Sequence, residues 1–158
     1  MNEGCRLRRG GSRRGAELMR RGLVRYTERG EVRTMYSVRV EAEFAAAHRI
    51  VHYHGKCERF HGHNYRVRVW ASGEVLGEGG MLVDFGVLKG ALRSLIDERL
   101  DHRDLNEIQA FENDPSAERI AEYIYRSLHE SLPEILISAV DVFETATSMA
   151  RFTPSAAR

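Results

Sequence analysis

Three histidines, His48, His61 and His63, carry the strongest chemical signal in the chain. His61 and His63 are two residues apart, and on a strand residues i and i+2 point to one face. Counting parity from Tyr65 and Val67, that face is apolar. His48 shares parity with Phe44 and Ala46, so it points to the apolar face too if its strand runs that far. Three imidazoles would then leave neighbouring strands toward one interior. Buried polar groups need partners. Three neutral imidazoles with an open fourth position are the arrangement of a catalytic zinc. Ligand type favours zinc, although imidazole also suits iron, copper and nickel. Taken singly, each histidine is more often a surface or hydrogen-bonded core residue. His52 and His54 also alternate, and spacing leaves them open as ligands.

Other reactive side chains lie near this set in the sequence. Cys57 stands four residues before His61, in the loop that enters the same strand. A thiol near a cation can be held as thiolate and act as base or nucleophile; the simpler alternative is a small buried residue. Asp101–His102 follows a helix, and a histidine beside a carboxylate suits proton transfer; the alternative is a helix-terminal charge pair. Glu144 shares parity with Val140 and Val142. It would project inward and want a donor partner, unless the strand end leaves it in solvent.

The elements that must position these residues read as β-β-α-α-β-β. Tyr36, Val38, Val40, Ala42, Phe44 and Ala46 alternate with polar residues, the period of a half-buried strand. Residues 47–60 break the pattern and read as a loop. Tyr65, Val67, Val69 and Ala71 form a second alternating run that closes near Gly73. Asp84 suits a helix N-cap before the Leu88, Leu92 and Leu95 stripe. Residues 101–113 are polar and irregular. Asp114–Pro115 predicts an N-cap with proline at the first helical position, followed by the stripe Ile120, Ala121, Ile124 and Leu128. Ile137–Glu144 and Ser148–Phe152 read as strands. Strand pairs grouped around helices predict an α+β fold with an antiparallel sheet.

Composition limits the function classes. At 158 residues the chain suits one domain. Cys5 and Cys57 are its only cysteines, which excludes a disulfide scaffold and a four-cysteine zinc module. No apolar run reaches the roughly 20 residues of a membrane span and no signal-peptide core is visible. The expectation is a cytoplasmic protein with reduced thiols and no membrane partner. No glycine-rich phosphate loop follows a strand, so nothing points to a nucleotide cofactor. Residues 1–34 hold ten arginines and four glutamates, a net +6 within a whole-chain charge of +1. This glycine-rich head lacks core-forming residues and is expected to be flexible. It could be a nucleic-acid-binding arm. It contains one aromatic ring, Tyr26, and arginine is common throughout the chain. A non-essential extension, with translation starting at Met19 or Met35, is the preferred reading, and a nucleic-acid partner is not expected.

Several motifs together resemble the 6-pyruvoyl-tetrahydropterin synthase family, and within it the bacterial branch of queuosine biosynthesis. They are Phe44-Ala45-Ala46-Ala47-His48-Arg49 and Gly55-Lys56-Cys57-Glu58-Arg59-Phe60-His61-Gly62-His63-Asn64-Tyr65. Val83-Asp84-Phe85, Leu100-Asp101-His102-Arg103-Asp104-Leu105-Asn106, Pro115-Ser116-Ala117-Glu118 and Val142-Phe143-Glu144-Thr145 follow in order. The resemblance covers residues 36–152. It implies a T-fold domain over residues 35–158, with two helices on one face of the sheet. It implies ring-shaped homo-oligomers, a hexamer being expected, with active sites between subunits.

The resemblance also implies a zinc-dependent lyase, with zinc on His48, His61 and His63. Cys57 becomes the base that removes a proton from the substrate side chain. Asp101 and His102 become a proton relay, with His102 able to serve a neighbouring subunit. Glu144 becomes the pterin anchor, with Ser116 and Glu118 as contributors. The implied reaction converts 7,8-dihydroneopterin triphosphate into 6-carboxytetrahydropterin, acetaldehyde and triphosphate. Some relatives carry a glutamate three residues before His-Gly-His and cleave dihydroneopterin to 6-hydroxymethyl-dihydropterin, a folate precursor. This chain has both Cys57 and Glu58, so that cleavage is the alternative or second activity. The pyruvoyl product is not expected, because that branch has a longer cysteine-to-histidine spacing. Ser116 stands where relatives often carry threonine, and Ala146–Ala150 departs from the family pattern. A reading from another class is a zinc-stabilised binding module whose basic head contacts RNA and which catalyses nothing.

Overall fold

The computed structural model describes residues 34–155 and the backbone of two short strands before them. The chain divides into two units, residues 1–35 and 36–158. In the first, β1 (Arg25–Tyr26) pairs antiparallel with β2 (Val32–Arg33). The expectation of a flexible head otherwise lies outside the described residues. Among the described residues no helix is long and apolar enough to cross a membrane.

The second unit is built on two long strands. β3 (Tyr36–His48) and β4 (His61–Gly73) pair antiparallel without a break, from Tyr36 opposite Gly73 to His48 opposite His61. The period-two pattern therefore runs on through His48, as parity required. α1 (Phe85–Arg99), β5 (Arg103–Asp104), α2 (Ala117–Ser131), β6 (Ile137–Phe143) and β7 (Met149–Phe152) follow. The five-stranded sheet has the order β5-β3-β4-β6-β7.

One face of the sheet carries the core. Val40, Phe44, Tyr65, Val67, Val69, Val140 and Val142 pack against Leu88, Leu92 and Ile96 of α1 and Ile120, Ile124 and Leu128 of α2. Full burial of one such aliphatic side chain contributes roughly 1.5–3 kcal/mol, so the two helical stripes fix the sheet's inner face. The opposite face is polar. Asp141, 2 % exposed, accepts from Trp70 Nε1 at 2.8 Å and from Arg151 Nη2 at 2.9 Å. Burial alone would raise the Asp141 pKa, but the Arg151 and Trp70 bonds outweigh it and hold the carboxyl below its ordinary value.

Two sequence expectations need correction. The sheet is mixed, because β5 pairs parallel with β3, Ala46 opposite Arg103 and Ala47 opposite Asp104. Residues 101–113 hid this strand because it is two residues long and has no alternation. Their anchors are Leu105 and Phe111, both fully buried, on two short 3₁₀ turns. The second correction concerns α2. Its N-cap is Ser116, whose Oγ accepts from Arg119 N–H at 3.4 Å, not Asp114. The Asp114 carboxylate turns to His52, accepting from its backbone N–H at 3.0 Å and lying 2.6 Å from its Nδ1.

Candidate active site

The β3–β4 register dictates the histidine cluster. His48 and His61 are directly opposed at the open end of the ladder, and His63 lies opposite Ala46. Side chains of matching parity leave both strands on the core face. His48 is 2 % exposed, and His61 and His63 are half-buried. The ring centroids stand 4.6 Å (His48–His61), 5.2 Å (His48–His63) and 4.8 Å (His61–His63) apart. One ring nitrogen from each can be chosen so that all three lie within 4.8 Å of one another.

The hydrogen bonds around the cluster prepare it for a cation. His48 Nδ1 lies 2.8 Å from the Pro115 carbonyl, and His61 Nδ1 lies 2.7 Å from the Arg59 carbonyl. A carbonyl oxygen only accepts, so each Nδ1 carries the proton and each Nε2 keeps its lone pair. This second bond is the usual way a protein orients a ligating imidazole. His48 Nε2 is buried with no protein partner. Burial lowers the His48 pKa, against the opposing pull of the Pro115 bond and of Glu144, so the ring favours the neutral form that binds metal. The three residues thus fit a metal ion. His52, bonded to Asp114, and His54 lie outside the cluster.

A cavity of about 480 Å³ opens beside His48. Cys57, Ser116, Glu118 and Glu144 line it, so five of the sequence-derived site residues border one space. Different elements supply them: the loop after β3, the first turn of α2 and the end of β6. The chain also places Ile50, Tyr53 and Ser148–Ala150 on the wall, and sequence reading assigned these no role. Tyr53 lies in a loop without periodicity. Ser148–Ala150 fall where family resemblance weakens, so neither carried a usable signal. Tyr65, fully buried against His48 and His63, was read only as a core position. Burial, with Glu144 adding to it, pushes its phenol pKa up.

Glu58 does not border this cavity; it sits exposed at the end of the 3₁₀ turn Lys56–Glu58. Asp101 and His102 are elsewhere as well. Asp101 Oδ1 accepts from Ala45 N–H at 2.9 Å, and its Oδ2 lies 2.8 Å from His102 Nδ1. The Ala45 bond is the main cause holding the Asp101 carboxyl below its ordinary pKa, with His102 assisting against partial burial. His102 has φ 55°, a left-handed conformation uncommon outside glycine, and its side chain is 82 % exposed. It borders a second, more open hollow of about 510 Å³ with Ala45–Ala47, Gly62 and His63. Within one copy of the chain, Cys57 and His102 line different spaces.

Fold and site together define an α+β enzyme domain with a candidate three-histidine metal centre beside a small-molecule cavity. Residues 37–155 match the family model described as 6-pyruvoyl tetrahydropterin synthase. A Synechocystis relative named 6-carboxy-5,6,7,8-tetrahydropterin synthase is 41 % identical over 123 residues, 75 % of this chain and 93 % of its own. The 6-pyruvoyl tetrahydrobiopterin synthase of Drosophila melanogaster is 38 % identical over 97 residues, 58 % of this chain and 57 % of its own. Among solved structures, 6-pyruvoyl tetrahydropterin synthase of Caenorhabditis elegans superposes with a TM-score of 0.68 at 29 % identity, covering 77 % of this chain and 97 % of its own. The chain belongs to the 6-pyruvoyl tetrahydropterin synthase family and has its T-fold. It is a synthase of the lyase class, which sets aside the non-catalytic module. The relatives' names differ in product, so family membership leaves the reaction to be argued from the site.

Proposed function

We propose that the chain is a 6-carboxy-5,6,7,8-tetrahydropterin synthase. It converts 7,8-dihydroneopterin triphosphate and water into 6-carboxytetrahydropterin, acetaldehyde and triphosphate for queuosine-type 7-deazaguanine synthesis. The observation that carries this reading over folate-type cleavage is the cavity wall, which includes Cys57 and excludes Glu58. The 41 % identity to the Synechocystis relative of that name supports it.

His48, His61 and His63 would hold zinc, the metal their nitrogen-only donor set favours. When bound it supplies Lewis-acid stabilisation of the negative charge that develops as the substrate side chain enolises. The protein groups do the rest. The Glu144 carboxylate accepts hydrogen bonds from the pterin amino and ring N–H groups, with Ser116 and Glu118 contributing contacts. Cys57, as thiolate, removes a proton from the substrate side chain. His102, oriented by its 2.8 Å bond to Asp101, moves protons in the cavity of a neighbouring copy. Support for that last assignment is its exposure and its separation from its own copy's Cys57 cavity. The working form is accordingly a homo-oligomeric ring, with sites completed between subunits, acting in the cytoplasm.

Product identity tests this reading. Zinc-loaded protein given 7,8-dihydroneopterin triphosphate should yield 6-carboxytetrahydropterin and acetaldehyde, detected by mass spectrometry. Formation of 6-hydroxymethyl-dihydropterin from dihydroneopterin instead would move the reaction to Glu58 and to folate synthesis. Folded, zinc-loaded protein that made neither product would overturn the proposal.

A further inference from the structure

We infer that Asn106 is a positioning residue that sets Cys57 against the histidine cluster through the backbone of Arg49 and Ile50. The inference rests on the proposed role of Cys57. The loop carrying Cys57 needs such a device. No side chain from Arg49 to Phe60 is buried, so hydrophobic packing does not fix the loop. What holds it is a short set of polar bonds, and Asn106 makes the central ones.

The Asn106 side chain grips both backbone polar groups of one residue, Arg49. Its Oδ1 accepts from Arg49 N–H at 2.9 Å, and its Nδ2 donates to the Arg49 carbonyl at 2.9 Å. The same Nδ2 donates to the Asn113 carbonyl at 2.8 Å. An amide side chain has two donor hydrogens and an acceptor oxygen, and all are committed to backbone here. Arg49 directly follows His48. The next residue, Ile50, donates its N–H to the Cys57 carbonyl at 2.9 Å. The Asn106 grip and the bond that holds Cys57 therefore fall on adjacent residues. The far end of the same segment completes the frame: the Pro115 carbonyl accepts from His48 Nδ1 at 2.8 Å. Asp114 adds a clasp on His52, but His52 is largely exposed, and exposed ion pairs contribute little. Asn106 is the group whose bonds lead to Cys57.

The chemistry makes the arrangement consequential. A base must sit within hydrogen-bond reach of the proton it takes. A displacement of about 1 Å can cost on the order of 100-fold in rate. An exposed loop released from Asn106 would keep its thiol and lose its aim.

Asn106→Ala removes all three bonds, whereas Asn106→Asp keeps the acceptor and loses both donors. Each would be compared with wild type and Cys57→Ala as full-length, zinc-loaded protein, well below its melting temperature. The readouts are kcat, KM, bound zinc and Tm. Asn106→Ala should lower kcat roughly 10- to 100-fold, with KM and bound zinc close to wild type and Asn106→Asp intermediate. A lower Tm with wild-type kcat would mean a structural role only and overturn the inference. So would a fall in kcat matched by loss of zinc, which would place the effect on His48. Wild-type kcat in both Asn106 variants beside an inactive Cys57→Ala would sink the inference alone. Full turnover in Cys57→Ala would sink the parent reading and the inference with it.

Discussion

Replacing Cys57 by alanine should lower turnover roughly 10²- to 10⁴-fold, the range lost with a positioned acid or base, and leave bound zinc unchanged. The separation follows from the geometry. Cys57 lines the cavity that also holds Glu144, Ser116 and Glu118, and it is not part of the three-histidine group. Its side chain is exposed at the loop surface, so the truncation removes little packing and creates no buried cavity. The Ile50–Cys57 backbone bond survives it. Stability should change by no more than about 0.5 kcal/mol, as for other surface substitutions. Steady-state kinetics, zinc content and a thermal melt on one preparation check all three statements. Retained turnover would remove Cys57 from the mechanism, with Glu58 next in sequence as the group to test.

His48→Ala should act in the opposite manner, with loss of metal and loss of stability together. His48 is the most buried of the three histidines, and its two ring nitrogens face different tasks. Truncation removes one of three metal donors. The affinity loss should exceed the roughly 10- to 100-fold that follows removal of an outer-shell partner. It also leaves the buried Pro115 carbonyl without its donor, at a cost of about 1–3 kcal/mol before any metal contribution. The direction of the pH dependence follows from burial. Because the folded state disfavours the protonated ring, the unfolded chain takes up the proton more readily. The His48 contribution is therefore fully present above the ordinary histidine pKa and is lost as pH falls below it. Metal retention should fall in the same direction, since only the neutral ring ligates. Thermal melts of metal-free wild type and His48→Ala across this range should converge toward the acid side.

The histidine centre was legible in the sequence because a strand has a period of two. Parity from Tyr65 and Phe44 sent His61, His63 and His48 to the core face, and an unbroken 13-residue ladder put them together. The long amphipathic elements were legible for the same reason: burial imprints its period on the side chains. Where no period exists, the reading lost detail. β5 is held by two parallel pairs rather than by a pattern. The N-cap of α2 fell two residues later than Asp114–Pro115 suggested, because Asp114 found a partner 62 residues away in His52. Asn106 was visible as part of a motif. Its task was not, because it consists of bonds to backbone groups that no residue type announces. Spacing likewise said nothing of His102 and Cys57 lining different spaces within one copy; only the family resemblance pointed there, by letting His102 serve a neighbouring subunit.

The most direct test of a three-histidine metal centre driving the chemistry is a metal titration. Chelator-stripped protein would be titrated with zinc while turnover of 7,8-dihydroneopterin triphosphate is followed. Turnover should be absent at the start, rise linearly and saturate at about one zinc per chain, the capacity of a single such site. Turnover of stripped protein at the undiminished rate would contradict the account.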